Sequence, residues 1–514
     1  MTEDTRATYV ALVVALAAAT SCHKNTTTDV APVSSAAQKP AALPLSDTTI
    51  QAAVEQTLKR DPGVDASGLH VATTDGIVEL TGTASNLLTK IRAARVAESV
   101  RGVRAVSDRT TVSNATRTDQ QITADVKNAL LNNAAADSYE ITVHVQSGKV
   151  TLTGAVQSYQ ESEMSRRLAE GVVGVKEVED QLQVKHGVAR SDAEVAADVT
   201  SRLRWDALVN DGLIEVAVHG GNVFLTGKVA SAAEKRRAGV DAWVLGAANV
   251  DNTALKVDTT ERDYLKHKLF TRTSSDIERA ILAAVAYDPR VSAANLHVTV
   301  DDGRARLQGT VASVAARFAA EDVTRHTVGV MSVQNDLSIK PVKQHSDAEV
   351  EGAVRAALLW DPYTYSQAIA VKANAGKVTL TGTVRSRYER AEATDVAAGI
   401  EGVTDIDNAL SIQREDIAYI FDSYVFPYGP YWETWRAIPN NAGHSDSEIK
   451  RAIHDELAWN PLLEANDVSV KVQHGHATLT GRVDSQSERI EATEEAYEGG
   501  AVAVDNRLVI ANGE

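Results

Sequence analysis

A disulfide framework is excluded at the outset, because Cys22 is the only cysteine in 514 residues. Basic charge is scarce as well: 52 Lys and Arg stand against 69 Asp and Glu, a net charge of −17. Nucleic-acid binding rests on Lys and Arg neutralising phosphate, so this deficit, with no basic cluster, argues that class out. No apolar run reaches the roughly 20 residues that a membrane-spanning helix needs. The run nearest to one, YVALVVALAAA from Tyr9 to Ala19, suits the core of a signal peptide instead. Catalytic signatures are missing too. There is no Gly-x-Gly-x-x-Gly, no Gly-Lys-Ser and no nucleophile elbow, and the many carboxylates fall at caps and on solvated helix faces. An enzyme is not expected, and neither is a cofactor.

What the chain has is repetition. KVTLTGTV at Lys377 returns as KVTLTGAV at Lys149, NVFLTGKV at Asn222, ARLQGTV at Ala305, HATLTGRV at His476 and IVELTGTA at Ile77. The Leu-x-Gly glycines are Gly82, Gly154, Gly227, Gly309, Gly382 and Gly481, spaced by 72, 73, 82, 73 and 99 residues. A unit of about 70 residues with two insertions follows. Each unit opens on a helix-start signal. Ser191 to Glu194, Ser275 to Glu278, Ser346 to Glu349 and Ser445 to Glu448 read as capping boxes, with Thr118 to Gln121 a variant and Ser46 lacking the acidic partner. Apolar residues then recur at helical spacing, as at Val350, Val354 and Leu358, until Asp-Pro or Asn-Pro stops the helix. Two alternating strands meet at a tight turn such as Asp75-Gly76 or Ala375-Gly376. A second capped helix runs to a second glycine, and a last strand closes the unit. The fold class is α+β: six αββαβ modules, each a three-stranded mixed sheet covered by two helices. The repeated glycine is expected to serve geometry, at a bulge or a close helix approach.

The Val-x-Leu-x-Gly strand, the Asp-Pro turn and the second glycine followed by valine resemble the BON domain of bacterial envelope proteins. That resemblance implies binding in the envelope rather than catalysis. Thr20, Ser21 and Cys22, placed just after the apolar run, resemble the lipobox of bacterial lipoproteins, in which the cysteine is lipidated. The chain thus divides into a signal peptide (1–22), a tether (23–45), modules at 46–112, 118–186, 191–258, 275–343, 346–413 and 445–512, a basic amphipathic linker (259–274) and an aromatic insertion (414–444).

Several features lie outside the repeat, or recur with it. Eight aromatics crowd the insertion, among them Tyr424, Phe426, Tyr428, Tyr431, Trp432 and Trp435. They either clasp modules five and six or meet a partner or lipid interface. The linker carries Lys266 and Lys268 beside apolar residues and reads as an interfacial segment or a plain linker helix. Trp205, Tyr287, Trp360 and Trp459 recur at first-helix ends and are expected to cover the core of a small domain; a ligand-facing ledge is the alternative. His70 and His297 repeat at one strand position and are read as outward-facing, and His474-Gly-His476 lacks a third ligand, so no metal site is expected. Module six has 14 acidic and 6 basic residues, against 8 and 8 in modules one and four. Anionic lipid would therefore meet the latter two and the linker. The function expected is a non-catalytic binding role: attachment to phospholipid membrane or envelope proteins on the periplasmic side under osmotic or envelope stress, lipid-anchored or soluble. A periplasmic chaperone is the alternative, with a small-ligand or ion sensor behind it.

Overall fold

The computed structural model describes residues 45–511, apart from 62, 114–116, 134–139, 157–158, 185–189, 260–271, 289, 292, 365–368, 385–386, 413–444, 462, 464–466 and 502. Cys22, Lys266, Lys268 and the six named aromatics of the insertion lie outside these residues.

Twelve helices are found among the described residues, two per module: α1 (Asp47–Arg60), α2 (Leu87–Glu98), α3 (Asp119–Asn132), α4 (Tyr159–Glu170), α5 (Asp192–Trp205), α6 (Ala232–Asp241), α7 (Ser274–Ala286), α8 (Val314–Arg325), α9 (Asp347–Trp360), α10 (Arg387–Ala398), α11 (Asp446–Trp459) and α12 (Gln486–Glu498). Odd helices open modules; even helices follow the hairpin. The expected α+β modules are present in all six copies.

Module five shows the sheet. Ile369–Asn374 pairs antiparallel with Lys377–Val384, which pairs parallel with Asp405–Ile412. The hairpin strand that carries the glycine is thus central in each sheet. Val378, Leu380 and Val384 turn inward and are buried with Val350, Val354 and Leu358 of α9. Each module repeats this arrangement around its own core. At roughly 1.5–3 kcal/mol per fully buried aliphatic side chain, such a core is the main favourable term for a domain this small.

The first helices start as the sequence predicts, with reciprocal capping boxes at Thr118/Gln121, Ser191/Glu194, Ser346/Glu349 and Ser445/Glu448. Module four differs. Its box is Thr273 with Asp276, two residues before the expected Ser275 and Glu278. Glu278 is engaged elsewhere, accepting from the Val300 N–H at 2.9 Å.

The residue after each N-cap does work that its sequence context conceals. Asp47, Asp119, Asp192, Asp347 and Asp446 each accept two N–H groups from the hairpin turn 28 and 29 residues later; for Asp192 these are Gly220 at 2.8 Å and Gly221 at 2.9 Å. Module four has Ser274 in this place.

The Leu-x-Gly glycine of module four, Gly309, faces a register shift between Ala294 and His297, the bulge expected at this position, and in the other five modules the glycine lies opposite the first residue of the first strand. Gly154 has φ 136° and lies opposite Ile141, the first residue of the first strand. A Cβ there would stand 2.1 Å from the Glu140 carbonyl oxygen. The neighbour is thus the backbone entering the sheet. The other five strand glycines also have positive φ.

Candidate functional site: paired helix ends

The end of each first helix carries an exposed last turn whose carbonyls need donors. Four such donors come from another module, always from the residue before the second glycine. Arg101 N–H donates to the Trp459 carbonyl at 2.9 Å, Val173 to Trp360 at 2.8 Å, Val328 to Trp205 at 2.9 Å and Glu401 to Asn132 at 3.1 Å. The contacts join module one to six, two to five and three to four. In the second pair they are reciprocal, and isolated bridges Asn133 to Ile400 and Asp206 to Thr327 extend them. This is an isologous contact, the same patch used on both sides, within one chain.

Side chains reinforce each pair. The Arg101 guanidinium donates to the carbonyls of Asn460 at 2.7 Å and Leu463 at 2.9 Å, and Arg60 pairs with the buried Glu456. Trp459 packs on the core of module one, Trp205 on that of module four and Tyr287 on that of module three. These three aromatics cover a module core as expected, and the core is the partner module's, because the helix ends that bear them are docked there.

Neighbouring modules also interlock through their second helices. Leu87 and Ile91 of α2 enter the core of module two, Ala232 of α6 that of module one, and Val314 of α8 that of module five. The Tyr159 and Trp243 rings stack at 3.4 Å with planes 2° apart.

Between modules three and four the pairing encloses a cavity of about 100 Å³. It is a field of ion pairs. Arg237 meets Asp206 at 2.7 Å, Arg202 meets Asp241 at 2.9 Å, and Arg290 meets Asp288 at 2.7 Å and Asp322 at 3.3 Å. The Tyr287 hydroxyl donates to Asp198 at 2.7 Å. Burial, with Asp206 beside it, pushes the Asp241 carboxyl up to about 7. Burial also lowers the pKa of His326, outweighing the nearby Asp322 carboxylate; its Nδ1 lies 2.9 Å from the Asp322 carbonyl oxygen. Each of these ion pairs lies within one module, Arg202, Asp206, Arg237 and Asp241 in module three and Asp288, Arg290 and Asp322 in module four, and the Tyr287–Asp198 hydrogen bond is what crosses the boundary between them.

Of the residues singled out in the sequence, the structure places five of the six glycines opposite the start of the first strand and Gly309 opposite the Ala294–His297 bulge, dispersed through six sheets. His70, His144 and His297 point outward from first strands, and His474 sits in its hairpin turn. Among the described residues no three His, Cys, Asp or Glu side chains gather to hold a metal. The pairing itself gave no recognisable sequence signal beyond the recurring helix-end aromatics.

The BON domain family model matches six times, at residues 46–114, 118–186, 191–259, 273–341, 346–414 and 445–512. The chain belongs to the BON-domain family. The fourth match begins at Thr273, where the structure places the N-cap. Among curated proteins the chain is similar to osmotically-inducible protein Y of Escherichia coli (strain K12), 34% identical over 126 residues. That stretch is 23% of this BON-domain chain and spans 63% of the relative. Among solved structures, the C-terminal domain of CdsD, a structural protein of the type III secretion system of Chlamydia trachomatis, matches all of its own length to 47% of this chain, with 16% identity and a TM-score of 0.12. A likeness that slight bears on neither fold nor function. No helix among the described residues is long and apolar enough to cross a membrane.

Proposed function

We propose that the chain is a non-catalytic BON-domain protein of the bacterial envelope, which binds phospholipid or envelope proteins from the periplasmic side under osmotic stress. The observation that carries this reading is the sixfold BON match together with similarity to an osmotically inducible relative. The architecture agrees with it. First-helix ends are engaged in pairing and second helices pack between neighbours, so among the described residues the polar outer faces of the sheets and the hairpin turns are the broadest surfaces open to a partner. A chaperone holding clients in apolar grooves between modules has less support, since Trp205, Tyr287 and Trp459 fill those positions.

Flotation of the tag-free mature chain tests the reading. The expected result is co-flotation with vesicles rich in phosphatidylglycerol and weaker co-flotation with neutral ones. Absence from every vesicle fraction would remove phospholipid as the partner and leave the envelope proteins. Suppression of client aggregation in lipid-free solution would favour the chaperone.

A further inference from the structure

The second helices of modules one, two and three converge, and all three bring arginine to the meeting point. Arg236 of α6 donates to Glu98 of α2 at 2.8 Å. On α4, Arg166 and Arg167 share the Glu163 carboxylate at 2.6 and 2.7 Å, and Arg166 also meets Glu170. Arg95 of α2 lies within electrostatic reach of Arg236, Arg167, Arg166 and Glu170.

The fold does not require arginine here. Arg95 and Arg167 each stand 13 residues after their strand glycine. The same offset gives Asp322, Asp395 and Glu494 in modules four to six. Module three has Val240 there and presents Arg236 one turn earlier. Modules one and two thus carry a cation at the position where modules four to six carry a carboxylate.

We propose that the junction of α2, α4 and α6 is a binding site for a phosphate-type oxyanion, held by Arg95, Arg167 and Arg236. Guanidinium forks match such an anion in shape and donate two bonds at once. The Arg166, Arg167 and Arg236 side chains keep 26%, 22% and 20% of their surface exposed, so a small solute reaches them from water. Glu98, Glu163 and Glu170 stand among the four arginines, which leaves the cations in excess by one. Burial and the neighbouring Arg236 and Arg167 pull the Arg95 guanidinium down to about 9, against the opposing pull of Glu170. An added anion relieves that repulsion. The site is separate from the envelope reading, which does not depend on it.

Equilibrium dialysis of the full chain with inorganic phosphate is the test, with chloride at matched ionic strength as control. The expected result is one phosphate per chain, displaced by sulfate, with affinity falling at least tenfold in Arg95→Gln and in Arg236→Gln and partly retained in Arg95→Lys. Two substituted positions, on two modules, keep the test valid if one variant misfolds. A parallel arm uses phosphatidylglycerol vesicles. Binding that phosphate competes away and Arg95→Gln abolishes identifies a lipid headgroup as the source of the anion; phosphate binding without it identifies the free ion. Phosphate uptake no greater than in the chloride control, or equal in the variants, overturns the proposal.

Discussion

Gly154 illustrates how a single missing atom fixes a module. Its φ of 136° and the 2.1 Å gap between a built Cβ and the Glu140 carbonyl act together. Alanine there must both strain the backbone and push the entering strand away. Gly154→Ala is expected to cost module two about 1–3 kcal/mol, read as a lower urea midpoint and faster amide exchange in that module. An unchanged midpoint would show that the strand entry yields freely. A second residue-scale expectation concerns Cys22, the lone cysteine after the short apolar run. Mass spectrometry of the mature N-terminus, from a host that processes lipoproteins, should find it lipidated. An unmodified Cys22, or cleavage elsewhere, would leave the chain without this anchor.

At the scale of elements, two sets of carboxylates act with opposite sign. Asp119, Asp192 and Asp446 are held below the ordinary Asp value by the turn N–H groups they accept. Their contribution is present above about pH 4 and is lost as pH falls further. Asp241 and Asp361 are pushed up by burial, to about 7 and about 6. The folded chain therefore holds protons there that the unfolded chain releases, so their contribution is largest below about pH 4 and is lost as pH rises through 6 and 7. Stability against urea should peak near pH 5 and decline on both sides. Asp192→Asn should flatten the acid limb, and Asp241→Asn the neutral one. A midpoint that keeps rising from pH 5 to pH 8 would contradict the assignment of the buried pair.

The elements themselves were legible because their signals are local. A capping Ser, a helical stripe, a Gly-containing turn and an alternating strand each occupy a few consecutive residues, and six copies confirm one another. The Asp clamp was less visible. In Ser-Asp-x-Glu the cap explains Ser and Glu, and nothing nearby reveals that Asp reaches a turn 28 residues on. Module four was misplaced by two residues because Ser275 and Glu278 imitate a box at a site where Thr273 and Asp276 form one. The helix-end aromatics read as core cover without indicating whose core they cover. Helical periodicity tells which face is apolar, not which module covers it.

The whole molecule is organised by pairing that closes inward along the chain: three with four, two with five, one with six. Module one thus depends on residues some 359 positions away, through the contact of Arg101 with Asn460. Repeat arrays in which each unit touches only its neighbours melt as sums of local terms. This one should not. Nested long-range pairs make the ends of the chain close last and couple them once closed, and contacts at such separation slow folding. Removing module six by ending the chain at residue 444 is a direct test. Module one would lose the Trp459 indole from its core and the acceptors of Arg101. Amide exchange around Val96, Val100 and Val103 should then accelerate severalfold, while modules three and four, which pair with each other, should keep their protection. Equal protection of module one with and without module six would mean that the chain is a string of independent modules, whatever contacts its ends make.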